Sequence, residues 1–230
     1  MTMQPPRMAA AALLVMMGIG AGAWVYTHYR AAPAAVGIPV PAGHASPLNP
    51  SDFDSPSTDT VPPAKIPERL PQFSLSDRSG KPTSIAAFAG KSLVINFWAT
   101  WCAPCRREIP LLQALHTEWA GRDVSVVGIA VDYRDKVLEY ADRLKISYPL
   151  LIGEQDALDV AAALGVDSPV FPFTVFTDRR GEVVALFVGE LHRPQAELIL
   201  GEVQNLDNGL IELASARRAI ADRLQALKAG

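Results

Sequence analysis

The amino-acid sequence predicts an α/β fold: a central mixed β-sheet covered by helices on both faces. Three observations lead there. Nearly continuous apolar runs at Lys91–Trp98 and Asp123–Val131 have the pattern of strands buried on both faces. Each is followed by a segment whose apolar residues recur every three or four positions, as on the inner face of a helix. Later, Phe171–Thr177 and Glu182–Val188 flank the turn Asp178-Arg-Arg-Gly181, which reads as an antiparallel hairpin and makes the sheet mixed.

Length and charge limit what surrounds that fold. The chain has 230 residues, 49% of them hydrophobic, with a formal net charge of −3. One domain of ordinary size plus appendages fits that length. A slightly acidic balance gives no electrostatic case for binding nucleic acid, which requires a concentrated basic face. Residues 1–30 read as an export or anchoring segment. Arg7 precedes the uncharged run Met8–Tyr26, about the length a helix needs to cross a bilayer. Trp24, Tyr26 and Tyr29 gather at its far end, as interfacial aromatics do. The alternative is a cleaved signal peptide with Met8–Gly20 as its core and Ala21-Gly-Ala23 at the cleavage site. Residues 31–69 are rich in Pro, Ala, Ser and Asp without periodicity, and read as an extended, solvated tether.

The folded domain is expected over 70–206. It opens with a short hairpin, Gln72–Ser76 alternating apolar and polar residues before the turn Asp77-Arg-Ser-Gly80. The strand Lys91–Trp98 leads straight into Cys102-Ala-Pro-Cys105, then a helical pattern through Ile109, Leu111, Leu112, Leu115 and Trp119. After the second strand come a helix over Arg134–Leu144 and an extended piece, Tyr148–Ile152. A helix over Ala157–Leu164 is closed by Gly165, where left-handed geometry is wanted. The hairpin and a helix over Gln195–Leu206 complete the domain. Residues 207–230 form a further amphipathic helix, with apolar Leu210, Leu213, Ile220, Leu224 and Leu227, expected to pack on its own domain.

Cys102 and Cys105 are the only cysteines, and three readings compete for them. A zinc site needs three or four ligands. The four histidines are His28, His44, His116 and His192, and only His116 is near in sequence. A structural disulfide between residues this close would constrain the unfolded chain little. The redox reading has the specific context of a buried strand, an exposed Trp-Cys-x-Pro-Cys turn and a helix. Cys102 would lie at the helix N-terminus, where unpaired N–H groups and the helix dipole favour a thiolate, lower its pKa and make it the attacking sulfur. Pro104 suits the first turn, where its missing N–H is not needed. Cys105, one turn further in, would stay protonated until it resolves a mixed disulfide. Trp101 would shield one side of the Cys102 sulfur and leave the other open.

The stretch NFWATWCAPCRREIP resembles the thioredoxin superfamily, specifically its TlpA/ResA-like membrane-anchored thiol-disulfide oxidoreductases of the bacterial cell envelope. The resemblance runs from about Pro71 to Leu200 and includes the entry segment FSLSDRSGKPTSIAAFAGK. It implies a thioredoxin-like fold with an N-terminal hairpin extension, and a nucleophilic Cys102 with a resolving Cys105. Pro172 falls where the superfamily places a cis-proline beside the cysteines, with Pro169 a nearby rival, and Phe171 would offer its backbone to a bound substrate. Glu108 matches an acidic residue three positions after the second cysteine, which could shift thiol pKa values or relay a proton. Asn96 stands where many thioredoxins carry a buried Asp; an amide accepts no proton, which leaves Glu108 as the substitute.

The resemblance further implies a protein disulfide reductase on the periplasmic side of the inner membrane, N-terminally anchored or soluble after signal cleavage. It implies an electron donor of the DsbD/CcdA type and substrates such as apocytochrome c or copper-site assembly factors. No cofactor is expected beyond the Cys102–Cys105 couple. The alternatives are a disulfide-forming oxidase of the same fold, or a tethered redox-sensing binding or chaperone module.

Overall fold

The computed structural model describes residues 66–167 and 170–229. The anchoring segment, most of the Pro-rich tether and Pro169 lie outside the described residues. Among the described residues no helix is long and apolar enough to cross a membrane.

In chain order the elements are β1 (Ser74–Asp77), β2 (Pro82–Ser84), β3 (Ser92–Trp98), α1 (Ala103–Trp119), β4 (Val124–Val131), α2 (Arg134–Leu144), β5 (Leu150–Gly153), α3 (Gln155–Ala163), β6 (Phe173–Thr177), β7 (Val183–Val188), α4 (Arg193–Asp207) and α5 (Leu213–Ala229). They build one seven-stranded sheet in the order β2-β1-β5-β4-β3-β6-β7. β3, β4 and β5 run parallel, while β6 and β7 on one side and β1 and β2 on the other are antiparallel. The sheet is therefore mixed and sits inside an α/β sandwich of the thioredoxin type. The entry hairpin, expected only to open the domain, extends the sheet by pairing β1 antiparallel to β5.

All seven residues of β3 and all eight of β4 are buried, so the two apolar runs are the centre of the sheet. Their side chains alternate between two cores. Val94 and Trp98 of β3, with Val126 and Ala130 of β4, face a core shared with α1, α2, α4 and α5. Leu93, Ile95 and Phe97, with Val127, Ile129 and Val131, face a second core shared with α3. Boundaries moved where proline intervenes. The hairpin strand begins at Phe173 and β5 at Leu150, because Pro172 and Pro149 have no N–H for a ladder. α3 starts at Gln155, ahead of the expected Ala157, where Asp156 side-chain Oδ1 accepts from the N–H groups of Glu154 and Ala157 at 2.8 and 3.0 Å.

The last helix packs on its own domain. Ala216 and Ile220 are buried in the first core. Arg217 donates to the Val183 carbonyl at 2.5 and 3.1 Å, and Arg223 pairs with Glu202 at 2.6 Å.

Candidate active site

The site sits at the C-terminal end of β3. Cys102 is the N-cap residue of α1, with extended backbone (φ −80°, ψ 109°), and its Sγ accepts from the Cys105 N–H at 3.3 Å. Pro104 occupies the first turn, where no N–H is required. Cys102 and Cys105 are joined as a disulfide with Cα atoms 5.3 Å apart. The turn was expected to be exposed, and for Trp101 it is, at 67%. Cys102, in contrast, is only 5% exposed, because the disulfide is part of the first core.

Two loops hold this turn from outside the helix. After β4, Asp132 Oδ2 accepts from the Thr100 N–H at 3.0 Å and its hydroxyl at 2.5 Å, while Oδ1 accepts from the Tyr133 N–H at 2.8 Å. One carboxylate thus ties the residue before Trp101 to the start of α2. On the other side, the Phe171–Pro172 peptide bond is cis. The Phe171 ring meets Trp101 edge-on at 6.0 Å and stacks on Phe173 at 6.2 Å. The rings of Trp101, which precedes Cys102, and Phe171, which precedes Pro172, therefore meet although they come from distant parts of the chain.

Glu108 lies one turn beyond Cys105 on α1 and is only 2% exposed. Its Oε1 accepts from the Asn96 amide Nδ2 at 2.7 Å and its Oε2 from the Leu191 N–H at 2.8 Å. The same Asn96 Nδ2 reaches Thr174 Oγ1 at 3.1 Å, so β3, α1 and the loop before α4 meet at one carboxyl group and β6 is linked to it through Asn96. Burial pushes the Glu108 pKa up to about 7, opposed by the two hydrogen bonds and reinforced by the charge of Glu190. A surface cleft between Pro110 and His192 reaches this carboxyl, beside a bidentate pair from Arg107 to Glu190 (2.5–3.1 Å). A carboxyl poised near neutrality exchanges its proton in the range where thiols react.

Asn96 stands in a buried polar row, opposite Thr174 on β6 and Gly128 on β4. Its Oδ1 is buried without a hydrogen-bond partner among the described residues. Asp132, Thr174 and the Leu191 N–H escaped the sequence reading. Asp132 had a usable signal in its position at the C-terminal end of a central strand. A backbone N–H carries no signal at all. No group of three or more His, Cys, Asp or Glu side chains suited to a metal occurs among the described residues.

With this geometry established, comparison with known proteins gives consistent results. The AhpC/TSA family matches residues 66–186. The thiol-disulfide oxidoreductase ResA of Geobacillus thermodenitrificans is 32% identical over 122 residues, covering 53% of this chain and 68% of that protein. The crystal structure of a thioredoxin-family thiol:disulfide interchange protein from Chlorobium tepidum superposes with a TM-score of 0.54 at 31% identity, over 60% of this chain and 97% of that one. A secreted thiol-disulfide isomerase from Corynebacterium glutamicum gives 0.53 at 25% identity, over 59% and 85%. The chain belongs to the AhpC/TSA family and is a thioredoxin-fold thiol-disulfide oxidoreductase.

Proposed function

We propose that this protein works as a reductase of disulfides in exported proteins, with Cys102 as nucleophile, Cys105 as resolving thiol and Glu108 as the group that holds the proton between them. The observation that carries this reading is the buried Glu108 carboxyl one turn behind a disulfide that caps α1. In the reduced protein the Cys102 thiolate attacks one sulfur of a substrate disulfide. That bond breaks, a mixed disulfide forms, and the first substrate thiolate leaves and takes up a proton. Cys105 then passes its proton to Glu108 and attacks Cys102 Sγ, closing the Cys102–Cys105 bond and releasing the second substrate thiolate. Two electrons have moved from the dithiol to the substrate, and no cofactor is needed beyond that couple. Asn96 serves both protonation states of Glu108. Its Nδ2 donates to the carboxylate, and a half-turn of the amide would let Oδ1 accept from the protonated carboxyl.

The reductive direction is supported by the resemblance to the TlpA/ResA-like oxidoreductases. A strong oxidant needs its reduced form strongly stabilised. The buried Glu108 carboxyl, one turn beyond Cys105, opposes a further negative charge when it is ionised. Such a reductant in an oxidising compartment requires a dedicated supply of electrons, which a membrane donor of the DsbD/CcdA type would provide. The uncharged run Met8–Tyr26 and the secreted relative support a site of action outside the cytoplasm, on the periplasmic side of the inner membrane. Apocytochrome c and copper-site assembly factors are the substrates this reading brings forward, bound beside Trp101, Phe171 and Pro172.

The test is capture with Cys105→Ser. The variant should accumulate mixed disulfides between Cys102 and exported proteins, and the wild-type couple should equilibrate nearer about −270 mV than about −120 mV. Failure to capture any exported protein, or a potential at the oxidising end, would overturn the proposal.

A further inference from the structure

Beside Trp101, the residue before Cys102, a cleft of about 430 Å³ lies over the ends of β4 and β5. Its wall is made by Trp101, Tyr133, Leu158 and Phe171, and its charged residues are Asp132 and Glu154. No Lys, Arg or His lines it. Trp101 and Tyr133 are 67% and 63% exposed. Two large aromatic rings standing in water at one cleft, one of them on the residue before Cys102, mark a contact surface.

The charge of the cleft is uncompensated. Glu154 is exposed and makes no ion pair among the described residues. Asp132 accepts from Thr100 and Tyr133, which are neutral donors, and makes no ion pair among the described residues. Two arginines on adjoining elements are engaged elsewhere. Arg134, at the start of α2, donates to the backbone carbonyls of Asp77 and Arg78, and Arg107 is bound to Glu190. Aromatic faces and unpaired carboxylates share one preference, since both attract an ammonium or guanidinium group.

We propose that this acidic, aromatic cleft docks the chain flanking a substrate disulfide, and that it selects substrates carrying Lys or Arg within a few residues of the cysteine that Cys102 engages. The proposal rests on the reductase reading and names the substrate class for that same site. The occupant is an extended, cationic segment of an exported protein. Its cysteine reaches Cys102 while its basic side chain lies between the Tyr133 and Trp101 rings and the Glu154 carboxylate.

The experiment uses two synthetic peptide disulfides, identical except for a Lys pair or a Glu pair beside one cysteine, and measures their rates of reduction by the dithiol protein. At low ionic strength the Lys peptide should react about fivefold faster, the scale of an exposed ion pair. The ratio should approach one near 1 M salt, where screening is nearly complete. Glu154→Lys should invert the preference, whereas Asp222→Lys on α5, an equal change of net charge at an exposed position outside the cleft, should leave the ratio where it was. Equal rates for the two peptides would overturn the docking proposal and leave the reductase reading intact. So would a ratio that ignores Glu154→Lys or responds equally to Asp222→Lys. If neither peptide is reduced, the reductase reading itself fails, and this proposal with it.

Discussion

The two faces of β3 are built from alternate residues of one seven-residue strand, yet they differ in kind. Leu93, Ile95 and Phe97 point into a core of hydrocarbon, where Phe97 stacks on Phe173 at 4.3 Å. Val94, Asn96 and Trp98 point toward α1, where the buried neighbours include Glu108, Thr174 and Tyr148. Trp98 Nε1 and Tyr148 Oη are buried there without partners among the described residues. Unpaired polar atoms in a low dielectric are costly, so a face that carries several of them is less stable than a hydrocarbon face would be. The difference teaches where this fold keeps its rigidity and where it keeps its chemistry. The α3 face is the footing, and the α1 face carries the disulfide and the titrating carboxyl.

That contrast can be broken from either side. The largest effect belongs to the hydrocarbon face. Phe97→Ala removes a fully buried ring from its stack and should cost about 4 kcal/mol in denaturant unfolding, with the pH profile of Cys102 alkylation unchanged. A shifted profile would show that the two faces are not separable.

Next comes Glu108→Gln. With its pKa raised from 4.5 to about 7, the folded protein binds more protons than the unfolded chain between those values, so stability falls as pH rises through that window. The fall should amount to about 3 kcal/mol in the wild type and vanish in the variant. An unchanged slope would mean that Glu108 does not titrate there, and an unchanged pH profile of thiol alkylation would remove its proposed part in proton handling.

Gly128→Ala tests how tightly the polar row is packed. A Cβ at that position would lie 2.7 Å from Leu150 Cδ2 and 2.9 Å from Tyr148 Cε2, so overpacking should cost about 2 kcal/mol and lower Tm. A neutral or stabilising substitution would show a looser row than the distances imply. Smallest in stability is Asn96→Ala, at about 1 kcal/mol. Losing a donor that favours the charged carboxyl should push the Glu108 midpoint further up, above about 7. A midpoint that falls would overturn the role given to Asn96.

Much of this molecule was legible in one dimension because its signals are local. The runs at Lys91–Trp98 and Asp123–Val131 announce central strands by their lack of alternation, and the helical spacing from Cys105 to Trp119 announces α1. The mixed order of the sheet follows from a parallel core closed by a hairpin. Legibility ended where the contact is between segments. The entry hairpin was visible, but its attachment to β5 depends on an edge that exists only once the sheet has formed. The CxxC turn read as exposed, since nothing near it in sequence announces that Cys102 joins a core assembled from distant helices and strands. The acidic cleft draws Trp101, Asp132, Glu154 and Phe171 from four separate loops.

By itself, then, the sequence determined the strand, turn and helix that place two cysteines at a helix N-terminus, because periodicity, capping and proline geometry act within a few residues. Tertiary structure alone decided what Glu108 is. Asn96 is 12 positions away from it and Leu191 is 83, and only the closed fold brings their N–H groups to its two oxygens. The reason is physical: a carboxyl's pKa is set by its burial and by the donors around it, and both are properties of the packed core rather than of neighbouring residues in the chain.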